Sequence, residues 1–205
     1  MLKIIVRGGG DLATGVIHRL WGAGFKVLVL ECAKPAAIRR QVALCEAVYQ
    51  GSAQVEGLTA RLINSMPEAD AVWEHDEVPV LVDEAADSVH AFAPDIVIDA
   101  IIAKRNLGTS STMAPLVIAL GPGFSVGADA DVIVETKRGH NLDALSIAAV
   151  LHLTAACPVI SQAIARSVCC THPAQVFCTL FMTLAALWKM VKLLQLLPTA
   201  VIRWR

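Results

Sequence analysis

The chain has 205 residues, a formal net charge of −1, 56% apolar and 5% aromatic residues, and 6 cysteines. Its length suits one or two domains, and the near-neutral charge excludes the electrostatic footprint of a protein that binds nucleic acid or an anionic membrane. The cysteines, at 32, 45, 157, 169, 170 and 178, form no Cys-x-x-Cys pair. Zinc and thioredoxin-like chemistry are therefore poorly supported, and a reducing, cytoplasmic setting is expected.

Met1-Leu2-Lys3-Ile4 runs straight into an apolar segment, so no signal peptide is expected. A strand is predicted over Lys3–Val6, a helix over Leu12–Ala23 and a second strand over Lys26–Leu30. Between strand and helix stands Gly8-Gly9-Gly10-Asp11-Leu12-Ala13, which fits G-x-G-x-x-[GA], with Gly15 close behind. In that pattern Gly8 permits the tight turn, Gly10 lets the backbone approach a phosphate, and Ala13 allows close helix–strand packing. The helix N-terminus offers free N–H groups and the positive end of a dipole to an anion. Glu31 closes the second strand, about twenty residues on, where such units carry a ribose-binding acid. Together these features define a Rossmann-type nucleotide-binding unit; the bland alternative is a glycine turn that only packs. Asp11 would bring negative charge close to a phosphate, or else cap the helix.

A helix is predicted over Pro35–Leu44. Lys34-Pro35 and Arg39-Arg40 there either hold a phosphate or acidic group or line a solvated helix face. Further helices are predicted at Pro67–Glu74 and Glu84–Ala91. Further strands are predicted at Val78–Val82, Asp95–Asp99, Pro115–Leu120 and Asp131–Glu135. Strands alternating with short helices give an α/β fold, with a mostly parallel sheet covered by helices on both faces. Ligands bind such open sheets outside the carboxyl ends of the strands. Three polar loops fall in that zone. The first holds Asp99, Lys104, Arg105 and Asn106, and the second is Gly121-Pro122-Gly123. The third is Glu135-Thr136-Lys137-Arg138-Gly139-His140-Asn141. Lys104, Asn106, Gly121, Gly123, Glu135, Lys137 and His140 are the candidate ligand-binding residues, each weighed against an ordinary polar loop. No catalytic pair and no metal site stands out, since His140 has no identifiable carboxylate partner. His18 reads as a helix-face residue.

The chain changes character near Leu142. Asp143 is the last acidic residue, glycine is absent beyond it, and Cys, Thr, Leu and Ala dominate. A folded domain needs turn residues, so residues 143–205 are set apart from a first domain of residues 1–142. Three readings of this aberrant apolar tail stay open. Val176–Trp188 and Met190–Leu197 are apolar enough for a helical hairpin. A membrane span needs roughly 20 apolar residues, and Lys189, Lys192 and Gln195 interrupt the run, so specific membrane insertion is not expected. The third reading is translation out of frame. Permitted codons for Leu180–Lys192, each read from the last base of the one before, open as Phe-Tyr-Asp-Ile-Gly-Ser-Leu-Val-Glu-Asp-Gly-Glu. Leu193–Thr199 continues as Ile-Ile-Ala-Thr-Ile-Ala-Asp. The shifted text reads strand, glycine turn, strand, and it contains the Gly, Glu and Asp that the written text lacks. On this third reading, a single slip just after Leu142 is expected.

Four strings carry a resemblance. They are Ile5-Val6-Arg7-Gly8-Gly9-Gly10-Asp11-Leu12-Ala13-Thr14-Gly15, Lys34-Pro35-Ala36-Ala37-Ile38-Arg39-Arg40, Glu46-Ala47-Val48-Tyr49 and Val134-Glu135-Thr136-Lys137-Arg138-Gly139-His140-Asn141-Leu142. Together they resemble the YqeB-type maturation proteins of selenium-dependent molybdenum hydroxylases, over Met1 to Leu142. The resemblance implies an accessory role rather than a demonstrated reaction. It implies a nucleotide-bearing ligand, a dinucleotide or molybdopterin-type cofactor, and a client molybdenum hydroxylase as partner. The shifted tail resembles that family's C-terminal region, a small biotinyl/lipoyl-like β-module, and the written tail departs from it. Two other readings stand beside this one. The glycine motif and Glu31 also allow an NAD(P)-dependent oxidoreductase, and the frame slip allows an inactive product.

Overall fold

A computed structural model describes residues 2–134, 136 and 145–147. The chain divides between Ala149 and Val150, and every described residue belongs to the first unit. The elements in chain order are β1 (Lys3–Arg7), α1 (Asp11–Gly22), β2 (Lys26–Glu31), α2 (Ala47–Gln50), β3 (Ser52–Val55) and β4 (Leu58–Ile63). There follow α3 (Glu68–Glu74), β5 (Val78–Val82), α4 (Ser88–Phe92), β6 (Ile96–Asp99), β7 (Leu116–Leu120), β8 (Val132–Val134) and β9 (Leu145–Ile147).

The nine strands form one sheet in the order β3-β4-β5-β2-β1-β6-β7-β8-β9. All neighbours are parallel except the two edge pairs, β3 with β4 and β8 with β9. This is the α/β, Rossmann-like layout expected from the alternation of elements. The inner strands are continuous apolar runs because helices cover both faces. On one face Ile5, Leu28, Leu30, Val97 and Val117 pack with Ala69 and Val72 of α3 and Val89 and Phe92 of α4. Alternate strand residues such as Ile4, Val6, Val27 and Val29 are buried on the other side, where α1 buries Ala13, Val16, Ile17 and Leu20. The chain runs from β1 outward to β2, then returns past β1 to β6. The strand order reverses between β1 and β6, and at such a switch point open α/β sheets bind ligands beyond the carboxyl ends of the strands.

Three local expectations are corrected. No α-helix spans Pro35–Leu44. Residues 35–39 form a loop pinned where Tyr49 Oη donates to the Pro35 carbonyl at 2.8 Å. Two short 3-10 turns follow, at Arg40–Val42 and Leu44–Glu46. The reason lies in the burial pattern. Ile38 is 98% exposed and Val42 42% exposed, whereas Ala43 to Ala47 are buried consecutively. Consecutive burial does not make the one-sided stripe that a packed helix needs.

The second correction is the β3–β4 hairpin, which the sequence reading did not place. Its two-residue turn, Glu56-Gly57, has φ of 48° and 85°, the doubly positive pattern of a type I′ turn. Glutamate is not a usual first residue of that turn, so the signal was weak. The third correction is that α4 starts at Ser88 rather than Glu84. The Asp83 carboxylate accepts the N–H groups of Asp87 (3.1 Å) and Ser88 (2.8 Å) and the Ser88 hydroxyl, so the intervening residues turn instead of coiling. Burial works against that charge, yet the Ser88 hydroxyl and the N–H groups of Ser88, Asp87 and Ala86 hold the Asp83 carboxyl below its usual value.

β9 carries the sheet past Leu142. Its backbone pairing with β8 is open to any sequence with free N–H and C=O groups, so it does not bear on the reading frame. The rest of residues 143–205 lies outside the described residues, as do the helical-hairpin and out-of-frame readings placed on it.

Candidate functional site

The glycine loop leaves the carboxyl end of β1, where the strand order reverses. Gly8 has φ +95°, and a Cβ there would stand 3.1 Å from the Ala100 oxygen and from the N and Cα of Ile101. Glycine is required at this position by both the backbone conformation and the closeness of the loop after β6. Gly10 is different. It is the N-cap of α1 with φ −63°, and a Cβ there would meet nothing within 4 Å. The fold does not need glycine at Gly10; open approach to the backbone is what glycine leaves there. Ala13 is buried against the sheet, as close helix packing requires.

The N–H groups of Gly10, Asp11 and Ala13 have no partner among the described residues, which is the normal state of a helix start. Asp11 lies in the first turn of α1 and is not the N-cap. Its Oδ1 accepts the Leu12 N–H at 2.9 Å, and its Oδ2 accepts Arg39 Nε at 2.8 Å. Arg39 thus offsets the negative charge that Asp11 brings to the loop. Arg40 is held by Glu46 through two hydrogen bonds of 2.6 and 2.8 Å. The Arg40 guanidinium in turn holds the Glu46 carboxyl below its usual value. Both arginines are engaged with carboxylates, and Lys34 is exposed.

Glu31 reaches back from the end of β2. Its Oε2 accepts the Gly9 N–H at 2.7 Å and its Oε1 the Cys32 N–H at 2.8 Å. The acid and the glycine loop therefore form one unit. Across the loop lies a segment the sequence reading had not assigned to the site. Cys45 N–H donates to the Gly9 oxygen at 2.8 Å, and Leu44 N–H donates to Thr14 Oγ1 at 3.0 Å. Nothing in the local sequence around Cys45 signals this, because the contact depends on the path of residues 35–46.

Burial, with the Glu31 and Glu46 carboxylates adding, pushes the Cys45 thiol up to about 11. At pH 8 that leaves roughly a hundredfold less thiolate than a thiol with pKa near 9 would show, because each pKa unit is a factor of ten. Peptide mapping after iodoacetamide treatment should find Cys45 alkylated about a hundred times more slowly than a small free thiol. The rate should still be rising with pH at pH 10. Equal rates at pH 8 would show that Cys45 is not shielded over the loop.

Along the same edge, the loops after β6 and β7 are stitched together. Gly123 has φ +97°, and a Cβ there would lie 2.8 Å from Arg105 Cα and 3.0 Å from the Lys104 oxygen. Gly121 sits against Thr136 Oγ1 and the Ile102 side chain. Asn106 is fully engaged: its amide donates to the Thr109 oxygen and to Asp129 Oδ1, both at 2.8 Å, and its oxygen accepts the Thr109 N–H at 2.7 Å. Lys104 and Arg105 are exposed. The structure thus brings Gly8, Gly10, Asp11, Ala13 and Glu31 into one cluster. Lys104, Asn106, Gly121 and Gly123 form a second cluster on the same edge. Glu135, Lys137 and His140 lie outside the described residues.

Joining the ends of β1 and β6 is a buried ion pair that sequence reading also missed. Arg7, which ends β1, and Asp99, which ends β6, are 2% and 1% exposed, with Nη1 and Oδ2 3.8 Å apart. The Thr109 hydroxyl bridges them, and Arg7 Nη2 also donates to the oxygens of Glu84 (3.2 Å) and Leu107 (3.0 Å). The available signal was two charges of opposite sign, each closing a strand directly after an apolar run, Ile4–Val6 in β1 and Ile96–Ile98 in β6.

The sheet order, the glycine loop at the first crossover and the acid that ends β2 place the chain in the α/β, Rossmann-like class. The chain is similar to the uncharacterized protein YqeB of Escherichia coli (strain K12), at 50% identity over 137 residues, which is 67% of this chain and 25% of that protein. It spans about a quarter of the length of the curated relative it matches. No protein-family model matches it.

Proposed function

We propose that the chain binds a nucleotide-bearing ligand at the carboxyl edge of its sheet, as an accessory protein in the maturation of a selenium-dependent molybdenum hydroxylase. The observation that carries the binding reading is Gly10. The position has an ordinary φ and open space around it, beside N–H groups that have no partner among the described residues, at the start of a 12-residue helix. A phosphate would lie against the N–H groups of Gly10 and Asp11, and a ribose diol would donate to Glu31. A dinucleotide and a molybdopterin dinucleotide both carry that chemistry. The accessory role itself rests on the sequence resemblance.

The test is a thermal-shift and titration panel of nucleotides, dinucleotides and molybdopterin species on the full chain. Gly10→Val should abolish binding while the sheet stays folded, because a branched side chain fills the space a phosphate would use. Unchanged affinity retires the loop as a site. Glu31→Ala should cost about 1.5–3 kcal/mol for ligands with a free 2′-hydroxyl, the range for a hydrogen bond to a charged group. It should cost less for 2′-phosphorylated ligands. Glu31 also holds the Gly9 N–H, so an equal loss for both ligands would report loop damage and remove the ribose role. Turnover with a nicotinamide cofactor would replace this reading by an oxidoreductase, and no binding at all would favour an inactive product.

We propose likewise that residues 143–205 are read out of frame. Sequencing the gene should reveal a slip just after Leu142, and an intact frame there would overturn this.

A further inference from the structure

The amino edge of the sheet, opposite the glycine loop, carries a cleft of about 480 Å³. It is built where α1 ends, α3 ends, and β2 and β5 begin. Trp21, Phe25 and Trp73 line it, and all three are half-buried rather than sealed in the core. Trp73 also packs against the core beside Phe92, and its indole N–H donates to the Val27 oxygen at 2.9 Å, so the fold fixes the ring that lines the cleft.

Carboxylates share the lining. Glu77 is neutralised by two hydrogen bonds from Arg61. Asp76 accepts the Trp21 indole N–H at 3.1 Å. Asp70 is 75% exposed, and its one cationic partner among the described residues is Lys26 at 3.5 Å. Glu74 has no hydrogen-bond or ion-pair partner among the described residues. Three carboxylates thus face one ammonium. That ammonium, Lys26 Nζ, lies 5.0 Å from the centroid of the Trp73 ring. The chain's own lysine therefore displays the chemistry the cleft selects: a cation over an indole face with a carboxylate beside it.

We propose that this cleft is a docking site for an extended basic segment of a partner protein. One lysine or arginine side chain would take the position over Trp73 that Lys26 holds in the free chain, and its neighbours would pair with Asp70 and Glu74. The spacing favours a peptide over a small amine. Asp70 and Glu74 are four residues apart on α3, so they share a face with about 5–6 Å between their Cβ atoms. Alternate side chains of an extended peptide are roughly 6.6 Å apart, which lets two cations of one segment meet both acids. The net charge of −1 gives little unspecific attraction that would imitate this. The proposal does not depend on ligand binding at the opposite edge.

The experiment is fluorescence anisotropy of the full chain with a fluorescein-labelled Gly-Lys-Ser-Lys-Ser-Arg-Gly peptide and a counterpart carrying glutamine for each basic residue. The basic peptide should bind and the glutamine peptide should not. Asp70→Asn with Glu74→Gln should weaken binding at least tenfold, and Trp21→Leu should weaken it severalfold. Lys26→Met should tighten binding severalfold, since the internal competitor is gone; a surface charge of merely structural value would not move affinity in that direction. All these positions are at least partly exposed, and circular dichroism checks that each variant folds. Binding insensitive to Asp70, Glu74 and Lys26, equal binding of the two peptides, or no binding would each overturn the proposal. Full displacement of the peptide by tetramethylammonium at an affinity no weaker than the peptide's own would show a small-cation pocket and overturn it as well.

Discussion

Arg7→Met is expected to lower the unfolding free energy by about 3–5 kcal/mol, the usual cost of leaving one partner of a buried ion pair uncompensated. Arg7 and Asp99 are 2% and 1% exposed, so the stranded Asp99 carboxylate cannot recover its hydration. Methionine fills much of the arginine's volume, which keeps a cavity from dominating the result. The same change removes the donor shared by the oxygens of Glu84 and Leu107, which come from the loops after β5 and β6. Pairing Arg7→Met with Asp99→Leu should recover part of the loss, because a buried pair replaced as a whole by apolar residues is often near neutral. Denaturant unfolding checks this: the midpoint should fall while the slope stays constant. A loss under about 1 kcal/mol would mean that water reaches the pair.

The second large effect is a contrast within the glycine loop. Gly8→Ala should destabilise by at least about 1–3 kcal/mol from backbone strain alone, and by more because the Cβ would press on Ala100 and Ile101 at 3.1 Å. Those contacts are backbone atoms of a neighbouring strand end, which cannot swing aside as a side chain would. Gly10→Ala should stay within about 1 kcal/mol of the parent, since its φ is −63° with open space around it. Thermal melts of the two variants side by side would decide. Equal destabilisation would mean that Gly10 also serves the fold, and its claim as a ligand approach would lose its basis.

Much of the edge that carries the candidate site was readable residue by residue. The β1–α1–β2 unit matches its predicted bounds within a residue or two. Gly8, Gly10, Ala13 and Glu31 converge as the motif requires. Gly121 and Gly123 stand out in the sequence by their place beyond β7, and they are where the loops after β6 and β7 pack together. Asn106 reads in the sequence as a ligand contact, and the structure shows its amide engaged in holding its own loop to Asp129. A polar side chain at a strand end looks the same in sequence whether its partner is a ligand or a neighbouring loop.

The sequence by itself determined those elements whose signals are local. A continuous apolar run buries a parallel strand, a one-sided stripe makes α1, and a glycine takes the positive φ where β1 turns into its loop. Only the tertiary structure decided the path of residues 35–46, because their burial depends on which surface of the glycine loop and α1 is left for them to cover. It also decided the β3–β4 hairpin, whose second strand pairs with β5 through Ala60–Ile63. The Arg7–Asp99 pair belongs with these. Its two charges lie far apart in the chain, and they meet because the strand order reverses between β1 and β6. Burial and pairing are properties of the assembled sheet, and no window of sequence short enough to read by pattern contains both partners.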